Sequence, residues 1–206
     1  MSGVVNDVKN VKLVTANPSA LGLFGLAMVT LVASSQKLGW TSEVSFVVPW
    51  ALFLGGLGQL IAAIQDFKHN NVFGATAFAG YGLFWVSMGV AWMIRLGVFG
   101  ENMAAVADPT QLGVAFVGYF IFSIIMTIAT VELTKVLFVL LLLIDVLFFA
   151  LALDSFGIGG GSLHTVAAWS EFFISIVGFY GCAAAALNDI FGKVFLPVGK
   201  PFGIFK

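Results

Sequence analysis

The chain is 206 residues long, 60% apolar, 15% aromatic with 22 Phe, and only 9% charged, against roughly 25% in an ordinary soluble domain. That leaves too little polar surface to cover a water-soluble globule, and a net charge of −1, with no charge block longer than two residues, argues against a nucleic-acid partner or a polybasic surface anchor. The single cysteine, Cys182, excludes an internal disulfide and a CxxC metal or redox pair, and no cofactor is expected.

Met1 to Asn17 has no apolar core ahead of its first polar run, so no cleaved secretory signal is expected. Six apolar stretches then follow in chain order, near the length of about 20 residues that a bilayer requires. They run approximately Pro18 to Ser35, Ser45 to Ile64, Gly74 to Ile94, Gln111 to Val131, Lys135 to Leu153, and Thr165 to Leu187. They are continuous rather than alternating, which predicts helices and not barrel strands. The expected fold is an all-α integral membrane bundle, residues 1–206 forming one six-helix transmembrane domain in the cell membrane.

Lys and Arg set the orientation. With both termini in the cytoplasm, the inner segments carry Lys9, Lys12, Lys68, Lys135, Lys193, Lys200 and Lys206, and the outer ones only Lys37 and Arg95. The connection Gln65 to Phe73 is then cytoplasmic, and the loops Leu96 to Thr110 and Asp154 to His164 lie outside.

The first span opens Asn17-Pro18-Ser19-Ala20-Leu21-Gly22-Leu23 and the fourth opens Asp108-Pro109-Thr110-Gln111-Leu112-Gly113-Val114. Gly80-Tyr81-Gly82 in the third span is similarly matched by Phe179-Tyr180-Gly181 in the sixth. With three spans per half, such a repeat would be inverted, a plan common in transporters. Asn17 and Asp108 read as N-caps, with Pro18 and Pro109 at the first helical position, where the missing amide hydrogen costs nothing. The free amides and positive dipole end at Asn17 suit a small carboxylate; at Asp108, itself anionic, a plain helix start is the stronger reading.

The run Asn17 to Leu23 closely resembles the NPAPLGL signature of the acetate uptake transporter family, also called the succinate/acetate permease or GPR1/FUN34/YaaH family, with Ser19 and Ala20 departing from it. Gly55-Gly56-Leu57-Gly58-Gln59, the run Asn71 to Trp85, and the tail Leu187 to Lys193 followed by Leu196 to Gly199 are similar to further family segments, in order. The resemblance implies a six-helix subunit, a substrate path inside each subunit, a homo-hexamer, and passage of acetate and related short carboxylates, with succinate and protons as further candidates. It also implies a constriction formed by the first, third and fifth helices, where Tyr81 matches the family's Tyr, Leu26 stands in place of a Phe, and Ile144 stands approximately in place of a Leu.

A carboxylate crossing an apolar bore must exchange its water for protein donors. The candidate pathway residues are Asn17, Leu21, Leu26, Gln59, Thr76, Tyr81, Ile144 and Asn188, with Tyr81 foremost because its ring can wall the gate while its hydroxyl donates. Gln59 reads equally as an interhelical hydrogen bond, and Thr76 as a bond back to its own helix. Two acids lie inside spans: Asp145 near the middle of the fifth, where an ionised carboxylate costs about 2.5 to 3.5 kcal/mol, and Glu171 about two turns into the sixth. Either is a candidate for proton coupling, since a carboxyl removed from water can bind and release a proton in the physiological range. Each reads alternatively as a buried pair or a bundle hydrogen bond.

No HExxH, GxSxG or Walker A pattern is present, and no span carries two His, Asp, Glu or Cys one turn apart, which argues against an intramembrane enzyme. A membrane scaffold or sensor without a solute path is the competing class.

Overall fold

A computed structural model describes residues 15–205. Lys9, Lys12 and Lys206, used above for orientation, lie outside them. Six helices are long and apolar enough to cross a membrane: Ser19–Lys37, Val47–Lys68, Val72–Arg95, Pro109–Thr130, Lys135–Ser155 and Ser162–Phe191. These are the first to sixth spans. A short helix, Glu101–Ala105, lies in the loop between the third and fourth.

The ends depart from the expected boundaries where polar residues still satisfy their backbone within a helix. The second span runs on to Lys68, so Gln65 to Lys68 are helical rather than loop, and the link to the third span is only His69 to Asn71. Asp66 is therefore buried at the base of the bundle, its Oδ1 accepting from Asn71 Nδ2 at 3.0 Å. Asn71 in turn caps the third span, its Oδ1 accepting from the Gly74 amide at 3.2 Å. The sixth span is longer than expected at both ends and stops at Gly192, which takes the left-handed conformation that glycine tolerates.

The spans pack in a ring in chain order: first on second, second on third, fourth on fifth, fifth on sixth, and sixth back on first. Small residues permit the closest approaches. Gly25 lies directly beneath the Leu54 carbonyl, and Gly178 packs on Ala27. Trp50–Gly58 of the second span is a π-helical stretch, a widened turn of the kind common at functional sites, and it presents Gly55 to Trp85 and Val29.

The third and fourth spans differ from the other neighbours, because their backbones make few close approaches and aromatic rings fill the space between them. Phe84 meets Tyr119 with centroids 4.9 Å apart, Tyr81 meets Phe122 at 5.4 Å, and Tyr119 donates to the Gly80 carbonyl at 3.1 Å. This wall of rings completes the ring of helices.

Candidate functional site: two cavities and the plug between them

Two cavities enter the bundle from opposite ends. The one at the end where the first span starts and the sixth stops has a volume of about 700 Å³; Asn17, Leu23, Phe78, Glu132, Asn188 and Val198 are among its lining residues. The other has a volume of about 270 Å³ and is lined partly by Lys37, Phe84, Arg95, Phe116, His164 and Glu171.

The positions that separate them follow from helix register. On the first span Leu23 lines one cavity and Ala33 the other, with Leu26 between; on the third the order is Phe78, Tyr81, Phe84; on the fifth it is Leu137, Ile144, Leu151. Leu26, Tyr81 and Ile144 line neither cavity, are 6%, 4% and 3% exposed, and belong to one buried apolar cluster. Phe148, one turn beyond Ile144 on the same helix face, joins that cluster and lies under Tyr81, Phe84, Phe116 and Tyr119. The i, i+4 spacing from Ile144 is the sequence signal for Phe148, masked by the abundance of 22 Phe.

Tyr81 also has a polar contact. Its hydroxyl donates to Ser123 Oγ of the fourth span at 3.0 Å, with both residues buried. Asp145 of the fifth span faces Ser123 and accepts from Thr127 Oγ1 at 2.8 Å, while its Oδ1 is buried without a protein partner. Ser123, Thr127 and Thr130 form the one polar stripe on an otherwise apolar helix face, at the i, i+4, i+7 spacing. That spacing is legible in the sequence.

The remaining expected site residues divide. Asn17 lines the larger cavity and its Oδ1 accepts from the Ser19 amide at 3.0 Å, but the N-cap of the first span is Pro18, one residue later than expected, so Asn17 lies just ahead of the helix. Asp108 is the N-cap of the fourth span as expected, accepting from the Thr110 amide at 2.9 Å, and it lines neither cavity. The Thr110 hydroxyl first, and then its amide, hold the exposed Asp108 carboxyl below the usual aspartate range. Glu171 lines the smaller cavity and is paired with Lys37, Nζ to Oε2 at 2.8 Å.

Three expected pathway residues line neither cavity, and a fourth lines one with its amide already engaged. Leu21 is 40% exposed on the outside of the bundle and lines no cavity, because it is two residues, about 200° of helix, from the inward Leu23. Thr76 is exposed for the same reason, as Ala75 and Ala77 take the buried positions beside it. Gln59 is fully buried but touches neither cavity; its Nε2 donates to Gly55 O of its own helix at 2.8 Å, and Oε1 has no protein partner. Asn188 lines the larger cavity, yet its amide is used by the tail: Oδ1 accepts from the Phe195 and Leu196 amides at 2.7 and 2.8 Å, and Nδ2 donates to Leu196 O at 2.9 Å.

The tail itself is part of the site. It folds back across the ends of the fourth to sixth spans, with Val198 forming part of the cavity wall and its carbonyl accepting from the Val136 amide at 3.1 Å. Glu132 Oε1 takes the amides of Ile204 and Phe205 at 2.7 and 2.8 Å.

Comparison with known proteins gives a consistent picture. The model of the GPR1/FUN34/yaaH family matches residues 5–198. The chain is 30% identical to the succinate-acetate/proton symporter SatP of Escherichia coli over 93% of this chain and 98% of that one. It is 31% identical to acetate permease A of Emericella nidulans, over 82% of this chain and 58% of the longer fungal protein. The solved structure of the bacterial acetate channel SatP superposes with a TM-score of 0.83 at 27% identity, covering 90% of this chain and all of that one.

Proposed function

Because the chain belongs to the GPR1/FUN34/yaaH family, we propose that it is a multi-pass cell-membrane protein that passes acetate and related short-chain carboxylates, succinate among them, across the bilayer. The observation that carries this reading is the pair of cavities aligned on one buried plug, with Leu26, Tyr81 and Ile144 between them. A scaffold or sensor has no need of two cavities in register.

In the smaller cavity Glu171 pairs with Lys37, while Arg95 and Glu43, which also line it, form no ion pair among the described residues; Glu132 and Asp189 line the larger cavity, so neither cavity carries a net positive charge from its Lys, Arg, Asp and Glu and the reading rests on the plug between them. At the plug the anion sheds water against apolar side chains, and the hydroxyl of Tyr81 is the one polar side-chain group among Leu26, Tyr81 and Ile144. The larger cavity, with Asn17 and Val198 in its lining, faces the cytoplasm, in line with the Lys and Arg distribution. Subunits assemble as a homo-hexamer within membrane lipid through the apolar outer faces, which include Ile121, Ile125 and Leu142. In mild detergent the mass should be a multiple of 21.8 kDa, and a clean monomer contradicts the assembly.

Of the two candidate coupling acids, Asp145 adjoins the plug and Glu171 is held by Lys37 at the cavity wall. A proton-coupled carrier loses pH-gradient-driven accumulation when the coupling acid is changed, Asp145→Asn or Glu171→Gln, whereas a channel keeps its anion current. Uptake of labelled acetate into liposomes holding the pure protein tests the function itself. Uptake above protein-free liposomes, which admit protonated acetate through lipid, is the expected result; uptake equal to that background would overturn the proposal.

A further inference from the structure

We propose that Ser123 and Asp145 form a proton-sensitive relay that decides whether the Tyr81 hydroxyl points at the fourth span or into the constriction, making Ser123 a positioning residue for the carboxylate. The proposal rests on the transport reading above and concerns how the plug accepts an anion.

The hydrogen positions follow from donor and acceptor counting. Tyr81 donates its one hydroxyl hydrogen to Ser123 Oγ at 3.0 Å, so in this state it has none left for an anion in the bore. Ser123 is fully buried, and having accepted from Tyr81 it has one hydrogen to give. The carboxylate facing it from the fifth span is Asp145, which already takes the Thr127 hydroxyl on Oδ2 at 2.8 Å and keeps Oδ1 buried and without a partner. An ionised carboxylate can only accept. Ser123 makes no hydrogen bond to Asp145 in this structure, and the unpartnered Oδ1 is the acceptor to which its remaining hydrogen can turn, which sets the order Tyr81 to Ser123 to Asp145.

Protonation of Asp145 reverses that order. A carboxylic acid is a donor; its hydrogen goes to Ser123 Oγ, the serine hydrogen turns to the Tyr81 oxygen, and the Tyr81 hydrogen is released toward the apolar space beside Leu26 and Ile144. One proton is taken up by one carboxylate, and the two hydroxyls only rotate, so no other bond is made or broken. The freed hydrogen appears where a carboxylate has lost its water and an unpaired charge is most costly.

The groups facing Asp145 among the described residues are few. Ser123 and Thr127 face Asp145 from the fourth span, and Tyr81 is the titratable group on the third span side. Tyr119 is committed to the Gly80 carbonyl at 3.1 Å. Among the described residues no Lys, Arg or His pairs with Asp145.

The test is tracer acetate exchange by the full chain in liposomes at equal pH on both sides, from about pH 5.5 to 8.5, with protein-free liposomes subtracted. Maximal exchange by the wild type should rise roughly threefold or more toward the acid side. Ser123→Ala should give one level at all pH values, Asp145→Asn, whose amide donates permanently, should also be flat, and Tyr81→Phe should be flat and low. Ser123→Thr should restore the step. If Ser123→Ala does not assemble, Ser123→Cys tests the same point, because a thiol is a weak link in the chain. A wild-type step retained by Ser123→Ala, or an even reduction at every pH, overturns the relay, as does a wild type with no step. Absence of any wild-type exchange above background instead overturns the transport reading.

Discussion

Lys37 Nζ lies 2.8 Å from Glu171 Oε2, closing the far end of the first span onto the sixth across 134 residues of sequence. Glu171 is 2% exposed, so it depends on this partner to remain charged inside the bundle. Lys37→Met should destabilise the fold by about 3 to 5 kcal/mol, because it strands a buried carboxylate. The double change Lys37→Met with Glu171→Leu should recover much of that loss. Thermal unfolding in detergent for the two single variants and the double, compared as a cycle, measures both.

At the plug, Tyr81→Ala removes a ring that stacks on Phe148 and meets Phe122. With assembly intact, the wider bore should raise passage of carboxylates larger than acetate, and the ratio of their flux to acetate flux should change by roughly tenfold, about 1.4 kcal/mol of barrier. Liposome uptake of a graded series of carboxylates is the measurement. An unchanged series would remove Tyr81 from the pathway.

Close helix approach can be tested at Gly25. A Cβ there would run into the Leu54 carbonyl oxygen, which belongs to the π-helical stretch and has no flexible side chain to yield. Gly25→Ala should cost about 1 to 3 kcal/mol of stability. A melting temperature equal to that of the wild type would mean that the second span can shift freely.

Glu132 holds the end of the tail through two backbone amides, while Phe202 packs on Phe138 with centroids 5.1 Å apart. Glu132→Ala should release residues near Ile204 at a cost of about 1 to 3 kcal/mol in docking of the tail. Limited chymotrypsin digestion should then cut at Phe202 severalfold faster than in the wild type. Equal cutting rates would show that the other tail contacts suffice.

The six spans were legible from composition and chain order, because a bilayer imposes a length of about 20 apolar residues on any helix that crosses it. The four segments that resemble the acetate transporter family likewise stand in the linear sequence, and they name Tyr81 and, by position, Leu26 and Ile144. Which side of each helix faces inward was not legible. In a soluble helix the polar face marks the outside, but here both faces are apolar, so Leu21 and Leu23, or Thr76 and Ala77, differ little by type while one of each pair points outward. Polar partners were hidden for a different reason. Glu171 finds Lys37, Tyr81 finds Ser123, and Glu132 finds the returning tail only when the ring of helices closes, because these contacts join segments whose separation in sequence says nothing of their distance in space.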